Sequence, residues 1–237
     1  MACNGKQSYL QHNKYNTMII KELFNMLAPH ECLGCKKEGS LLCYDCRSSM
    51  PPVMPRCYKC GRWSDDWRTC KACQRQTPIH TLWTVTAYEG VVKDLLRRLK
   101  FERAAAAADL LAEALAAKCS PGENLIVTYV PTANQRVRMR GYDQSALIAK
   151  QLARLLNRPF IPCLARSGQQ RQLGQTRQVR TKQMADTFRP VRPYVFQNKH
   201  VLIVDDVLTT GATCEAAAKA LKAAGAKRVS AAVFAVA

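Results

Sequence analysis

Val201, Leu202, Ile203 and Val204 follow His200 as an unbroken apolar run, the pattern of a strand buried on both faces of a parallel sheet. Leu125–Val130 reads the same way, Leu82–Tyr88 (LWTVTAY) alternates as a strand does, and Val229–Val236 supplies a last strand. Between these runs the period changes from two to three or four. Val91, Leu95 and Leu99 fall at helical spacing, with Val92 and Leu96 widening the stripe and Arg97, Arg98 and Lys100 facing outward. Ala104–Lys118 is an alanine-rich helix with Leu110, Leu111 and Leu115 inward. Asp143–Leu156 presents Leu147, Ile148, Leu152 and Leu155 to the core, and Cys214–Ala224 is a helix capped by Thr213 and stopped by Gly225. Phe160–Leu164 reads as an edge strand, demoted by Pro162, and Ala185–Arg189 as a strand returning Phe188 to the core. Near the amino end, Ile19, Ile20, Leu23, Phe24 and Leu27 mark a short amphipathic helix from Met18, after a polar, aperiodic leader over 1–17. Strands alternating with helices predict an α/β fold, a parallel sheet flanked by helices.

Asp205 and Asp206 follow the apolar run at once, and Val207, Leu208, Thr209, Thr210, Gly211, Ala212 and Thr213 lead into the next helix. A strand, a small-residue loop and a helix N-terminus make an anion site. Backbone N–H groups and threonine hydroxyls turn inward, and the helix dipole favours a phosphate. Gly211 lets the backbone approach a ligand closely. Carboxylates beside such a nest repel a phosphate unless the ligand also brings donors, as ribose hydroxyls do. The bland alternative is a βα turn with aspartates as turn formers. The whole run, V-L-I-V-D-D-V-L-T-T-G-A-T, resembles the loop with which type I phosphoribosyltransferases bind phosphoribosyl pyrophosphate (PRPP). The resemblance implies that Asp205 and Asp206 hold the ribose 2′- and 3′-hydroxyls, that residues 209–213 wrap the 5′-phosphate, and that Mg²⁺ accompanies the ligand.

Eight of the twelve cysteines stand in four C-x-x-C pairs: Cys32 with Cys35, Cys43 with Cys46, Cys57 with Cys60, and Cys70 with Cys73. Each pair sets two thiolates on one side of a tight turn, and two pairs complete a tetrahedral zinc site. Neighbour pairing gives two ribbons in series, which Pro51, Pro52 and Pro55 favour as a stiff joint. A crossed arrangement fits the spacing as well. Four copies without a thioredoxin-like context argue against redox chemistry. Closed sites of this kind are structural, and zinc would supply folding energy that so small a module lacks. No run reaches the roughly 18 apolar residues of a membrane span, and no stretch reads as a signal peptide. The expectation is a cytoplasmic protein without membrane insertion, its cysteines reduced and free to bind metal.

The formal charge of +19, from 36 Lys and Arg against 17 Asp and Glu, points to a polyanionic partner such as nucleic acid. Two zinc sites of four thiolates each would contribute −4 + 2 = −2 apiece, leaving +15 from that +19. Arg136, Arg138 and Arg140 follow a strand end, where ligands of open α/β sheets bind, and are set to meet a pyrophosphate or a nucleic-acid backbone. Arg166–Gln183 is basic and apolar-poor, with Arg171, Arg177, Arg180 and Lys182. A loop of this length is usually a lid, or a segment ordered on binding. Solubilising charge is the plain alternative for both stretches.

From Cys32 onward the chain resembles the ComF family of competence-associated proteins. The resemblance rests on the cysteine knuckles, L-K-F at Leu99–Phe101, Val130-Pro131, R-G-Y-D-Q at Arg140–Gln144, Gln172, Arg180, Phe188 and the acid-pair loop. Family members commonly carry asparagine where Asp143 and Gln183 stand here. The domain reading is a tail and short helix over 1–29, a double zinc ribbon over 30–76 and, as the resemblance implies, a phosphoribosyltransferase-like domain over 82–237. It further implies PRPP or nucleotide binding, handling of single-stranded DNA in uptake and natural transformation, and a competence-associated helicase as partner. The alternative is a working phosphoribosyltransferase with an unknown acceptor. Against turnover, no base-recognition hood is evident, and Pro131 stands where active enzymes have a glycine- and lysine-rich pyrophosphate loop. No catalytic residue follows from these motifs.

Overall fold

The computed structural model describes residues 31–101, 104–122, 124–167 and 187–237. The helix expected from Met18, together with Arg171, Gln172, Arg177, Arg180, Lys182 and Gln183, lies outside them. Contacts divide the chain into two compact units, Met1–Met50 and Pro51–Ala237. The first unit contains α1 (Tyr44–Ser48), which begins immediately after Cys43. The second contains, in chain order, α2 (Lys71–Gln74), β1 (Ile79–Ala87), α3 (Val91–Phe101), α4 (Ala104–Lys118) and β2 (Leu125–Tyr129). It continues with α5 (Asn134–Arg140), α6 (Gln144–Leu155), β3 (Leu164–Arg166), β4 (Phe188–Pro190), α7 (Pro193–Phe196), β5 (His200–Leu208), α8 (Ala212–Ala223) and β6 (Arg228–Val236).

Strands β1, β6, β5 and β2 form a parallel sheet in that order. Separately, β3 and β4 pair as a two-stranded antiparallel sheet. Helices α4 and α6 pack on strands of the sheet, as does α8. The β5 run is central, so Val201, Leu202, Ile203 and Val204 are each fully buried, as the unbroken apolar pattern requires. One apolar cluster joins Val201, Ile203, Val229 and Val233 to Ala217 and Leu221 of α8 and to Phe188 and Phe196. Leu95, Leu96, Leu99, Leu111, Leu115, Ile148 and Leu152 are also fully buried, the inward stripes of α3, α4 and α6.

Several boundaries differ from the sequence expectation. β5 continues to Leu208, because Asp205 and Val207 pair in register with Val233 and Ala235 of β6. The acid pair therefore sits in a strand rather than in a loop. Gly211, at φ +77°, is the cap of α8, and Thr213 lies in its first turn. Phe160 makes only an isolated bridge to Val127, and the strand begins later, at Leu164. Leu155 is 44% exposed, at the C-terminal end of its helix. The arginine stretch after β2 coils into α5, ended by Gly141 in the left-handed region at φ +79°.

Candidate functional site

The carboxyl ends of β2 and β5 bring together three motifs that are far apart in sequence. Lys100, expected to face outward at the end of α3, instead turns inward and stands 3.0 Å from Oδ2 of Asp206. That oxygen is buried and receives no directed hydrogen bond from the described residues, so the pair is a charge contact. Asp206 Oδ1 accepts the Val207 N–H at 2.9 Å. Asp205 Oδ1 accepts the Ser145 hydroxyl at 2.9 Å and the Asp206 N–H at 3.0 Å. Burial, then the neighbouring Asp206 charge, raise the Asp205 carboxyl well above its usual range, against the Ser145 bond that lowers it. Beneath the pair, Cys214 is buried and its thiol is held protonated by that burial and by both aspartates.

Ser145 is delivered by the cap of α6. Asp143 accepts from the backbone N–H of Ser145 and Ala146, and from the N–H and hydroxyl of Thr132 at 2.8 and 3.1 Å. One carboxylate thus ties the loop after β2 to the first turn of α6. Burial raises the Asp143 carboxyl and these donors oppose it. Tyr142 donates to the Leu99 carbonyl at 2.7 Å, joining R-G-Y-D-Q to L-K-F.

The three arginines of α5 do not converge. Arg140 donates to Gln144 at 2.9 Å and lies over the exposed Phe101 ring at 5.1 Å. Arg138 is exposed. Arg136 stands near Arg166, whose guanidinium is depressed by burial and then by Arg136, and favoured by Asp205. Arg166 also donates to the Pro131 carbonyl and covers the Phe188 ring at 5.5 Å. Arg166 is therefore near enough to Asp205 to feel its charge.

Of the loop residues, Val207 and Leu208 close the strand, the latter buried, while Thr209, Thr210 and Thr213 are exposed and Ala212 is half-buried. The Gly211 cap brings no side chain to the start of α8. The Thr210 hydroxyl accepts the Ala212 N–H, at 3.4 Å. The first turn is open to an anion, with threonine hydroxyls around it.

The cysteines resolve into two clusters, Cys32/Cys35/Cys43/Cys46 in the first unit and Cys57/Cys60/Cys70/Cys73 in the second, the sulfur atoms of each within 4.8 Å of one another. This is the serial pairing. Both are built alike: a hairpin knuckle supplies two thiols, and a cysteine preceding a short helix supplies the third with the fourth inside that helix. Sulfurs of Cys35 and Cys43 are 3.6 Å apart, and those of Cys60 and Cys70 3.7 Å. A tetrahedron with bonds of about 2.3 Å has edges of about 3.8 Å. The Cys43 N–H points to the Cys32 sulfur at 3.3 Å, as a thiolate requires. The four-cysteine sets fit structural zinc.

The Cys57–Cys60 knuckle of the second cluster reaches the loop. Between Cys57 and Cys60, the Tyr58 hydroxyl donates to Oε1 of Glu215 at 3.0 Å, and Lys59 pairs with the same oxygen at 2.8 Å. The Tyr58 hydroxyl also hydrogen-bonds Thr77.

Comparison with known proteins agrees with this architecture. Residues 23–74 match the model of the double zinc ribbon domain, and residues 143–236 that of the phosphoribosyl transferase domain. The competence protein ComFC of Bacillus subtilis is 25% identical over 227 residues, covering 88% of this chain and 89% of ComFC. The DNA utilization protein YhgH of Salmonella typhimurium is 30% identical over 221 residues, covering 86% of this chain and 96% of YhgH. The chain belongs to the ComF family. Among solved structures, the glutamine PRPP amidotransferase of B. subtilis aligns with a TM-score of 0.41 and 19% identity, over 53% of this chain and 25% of that one.

Seen as a ComF protein, the molecule contains site residues that local reasoning overlooked. Lys100 is one cation among four on an amphipathic helix, and no periodicity separates it from Arg97 and Arg98. Ser145 has no motif signal beyond its place after Asp143. Tyr58 and Lys59 are hidden inside a metal motif.

Proposed function

We propose that this protein binds PRPP, or a related phosphoribosyl ligand, at the acid pair and the loop after it, and that it handles incoming single-stranded DNA during uptake. One observation carries the first half: Asp205 and Asp206 stand at the open first turn of α8 with Ser145 and Lys100 brought to them from two other motifs. Ribose hydroxyls would donate to the acids, as hydroxyl donors do to carboxylates. The phosphate would take the N–H groups of α8 and the threonine hydroxyls. The acids also suit the Mg²⁺ that a polyphosphate brings, which would neutralise charge on the ligand. Residues 30–76 serve as the zinc ribbons and 82–237 as the ligand domain.

The DNA half rests on the names of the relatives, a competence protein and DNA utilization proteins, and on the +19 charge. Arg136, Arg138 and Arg140 with Arg171, Arg177, Arg180 and Lys182 would track the phosphate backbone. We take the protein to act in the cytoplasm, where thiols stay reduced for zinc, with a competence-associated helicase as partner. Binding is favoured over turnover because Asp143 already occupies the N–H and hydroxyl of Thr132, in the loop where an active transferase would cradle pyrophosphate.

The test is calorimetric titration with PRPP and Mg²⁺, with and without short single-stranded DNA, alongside a pyrophosphate assay. Saturable binding without pyrophosphate release supports the reading. Pyrophosphate release makes the protein an enzyme, and no heat at all removes PRPP as its ligand.

A further inference from the structure

An acid in the first turns of a phosphate-binding helix is normally a defect. Glu215 lies four residues after Gly211, on the turn whose N–H groups the phosphate would use, and a carboxylate there competes for the same field. In this molecule that acid is drawn away. Its Oε1 accepts from both Lys59 and Tyr58, at 2.8 and 3.0 Å, and its side chain is only 15% exposed. The two donors occupy the middle of the C-Y-K-C knuckle. Cys57 and Cys60 fix them from either side, and bonds from the Cys57 N–H to the Arg62 carbonyl and from the Gly61 N–H to the Cys57 carbonyl close the turn. The Tyr58 ring also packs against the apolar cluster that includes Leu208 and Cys214. A Cβ placed on Gly211 would meet that ring at 3.5 Å. Ring, hydroxyl and ammonium thus all bear on the segment from Leu208 to Glu215, and all depend on one metal-organised turn.

We propose that the second cysteine cluster is a positioning device for the phosphate loop. With zinc bound, the knuckle holds Glu215 off the anion site and backs Gly211. When zinc is lost or Lys59 is removed, the carboxylate is released toward the first turn of α8 and phosphate binding weakens. Lys59 and Tyr58 are positioning residues and do not touch the ligand. The proposal rests on PRPP binding at this loop, but its structural half is testable without PRPP.

The experiment uses the full, zinc-loaded chain in four forms: wild type, Lys59→Met, Glu215→Gln and the double variant. PRPP with Mg²⁺ is titrated into each. Lys59→Met is expected to weaken binding by roughly tenfold, the scale of one charge at a helix N-terminus. Glu215→Gln should bind at least as well as wild type, and the double variant should recover wild-type affinity. A merely structural Lys59 would leave the double variant as weak as the single one, and that result overturns the proposal, as does Lys59→Met binding like wild type. In parallel, amide hydrogen exchange over residues 209–215 is followed in ligand-free protein. Exchange there should speed up in Tyr58→Phe and on chelation of zinc. Unchanged protection in both overturns the coupling. If wild type binds no PRPP, the functional reading fails while the exchange result still decides the coupling.

Discussion

Asp205→Asn should stabilise the ligand-free protein while destroying its ligand site. In the fold, Asp205 is half-buried beside Asp206, and burial followed by that neighbouring charge raises its carboxyl. The folded state therefore holds this proton more tightly than the unfolded chain. Stability from this group is fully present below the unfolded pKa of about 4 and is lost as pH rises through the folded value. At neutral pH the acid pair is a net cost. Asparagine keeps an oxygen for the Ser145 hydroxyl and the Asp206 N–H, so the substitution removes charge without orphaning either donor. Each tenfold gain in proton affinity on folding corresponds to about 1.4 kcal/mol. Water reaches this half-buried group and Lys100 partly offsets the pair's charge, so we expect about 1–2 kcal/mol at pH 8. For a domain of this size that raises Tm by about 3–6 °C. Thermal melts at pH 5, 7 and 8 should show the gap between variant and wild type widening with pH. PRPP with Mg²⁺ at a hundred times its Kd should add about 2.7 kcal/mol to wild type and nothing to the variant. A variant that melts below wild type at pH 8, or a gap independent of pH, refutes the reasoning.

Metal analysis of purified protein should return two zinc ions per chain, and Cys35→Ser should lower that to one; a wild-type value of one or none rejects the paired clusters. Lys100→Met should destabilise by about 2 kcal/mol, because it leaves the buried Asp206 carboxylate without its cation. Lys100→Met with Asp206→Asn should regain most of that loss in a denaturant titration, and no recovery would mean that the ion pair is incidental. Replacing Arg171, Arg177 and Lys182 together by Ala should weaken single-stranded DNA binding and flatten the slope of log K against log salt by about 2. An unchanged slope puts the DNA elsewhere.

What could be read along the chain was whatever the backbone enforces locally. Val201–Val204 reads as a central strand, since a short, mostly β-branched apolar run asks for burial on both faces. The C-x-x-C pairs had to be knuckles, because their spacing closes a turn around a metal. Even the choice between serial and crossed pairing was half-visible in Pro51, Pro52 and Pro55. The errors lie where a residue's state depends on a neighbour far away in sequence. The strand β5 outlasts its apolar run because β6 pairs with it as far as Val236, a partner that no local window contains. Lys100 follows the polar face of α3 in pattern, yet the charge of Asp206 draws it inward.

The arginines of R-V-R-M-R-G-Y-D-Q illustrate the same limit from the other side. Read by charge, the motif is a set of cations aimed at a ligand, and its acid is a bystander. In the fold the roles are redistributed: Arg140 is spent on Gln144 and Phe101, while Asp143 ties the β2 loop to α6 and so brings Ser145 to Asp205. A motif's composition announces that a site exists, but which members touch the ligand and which hold the others is settled by the crossover connections. Glu215 carries the point furthest. Its charge would oppose the phosphate site proposed for this loop, and only the fold, by bringing Lys59 and Tyr58 to it, would make that acid compatible with anion binding at α8.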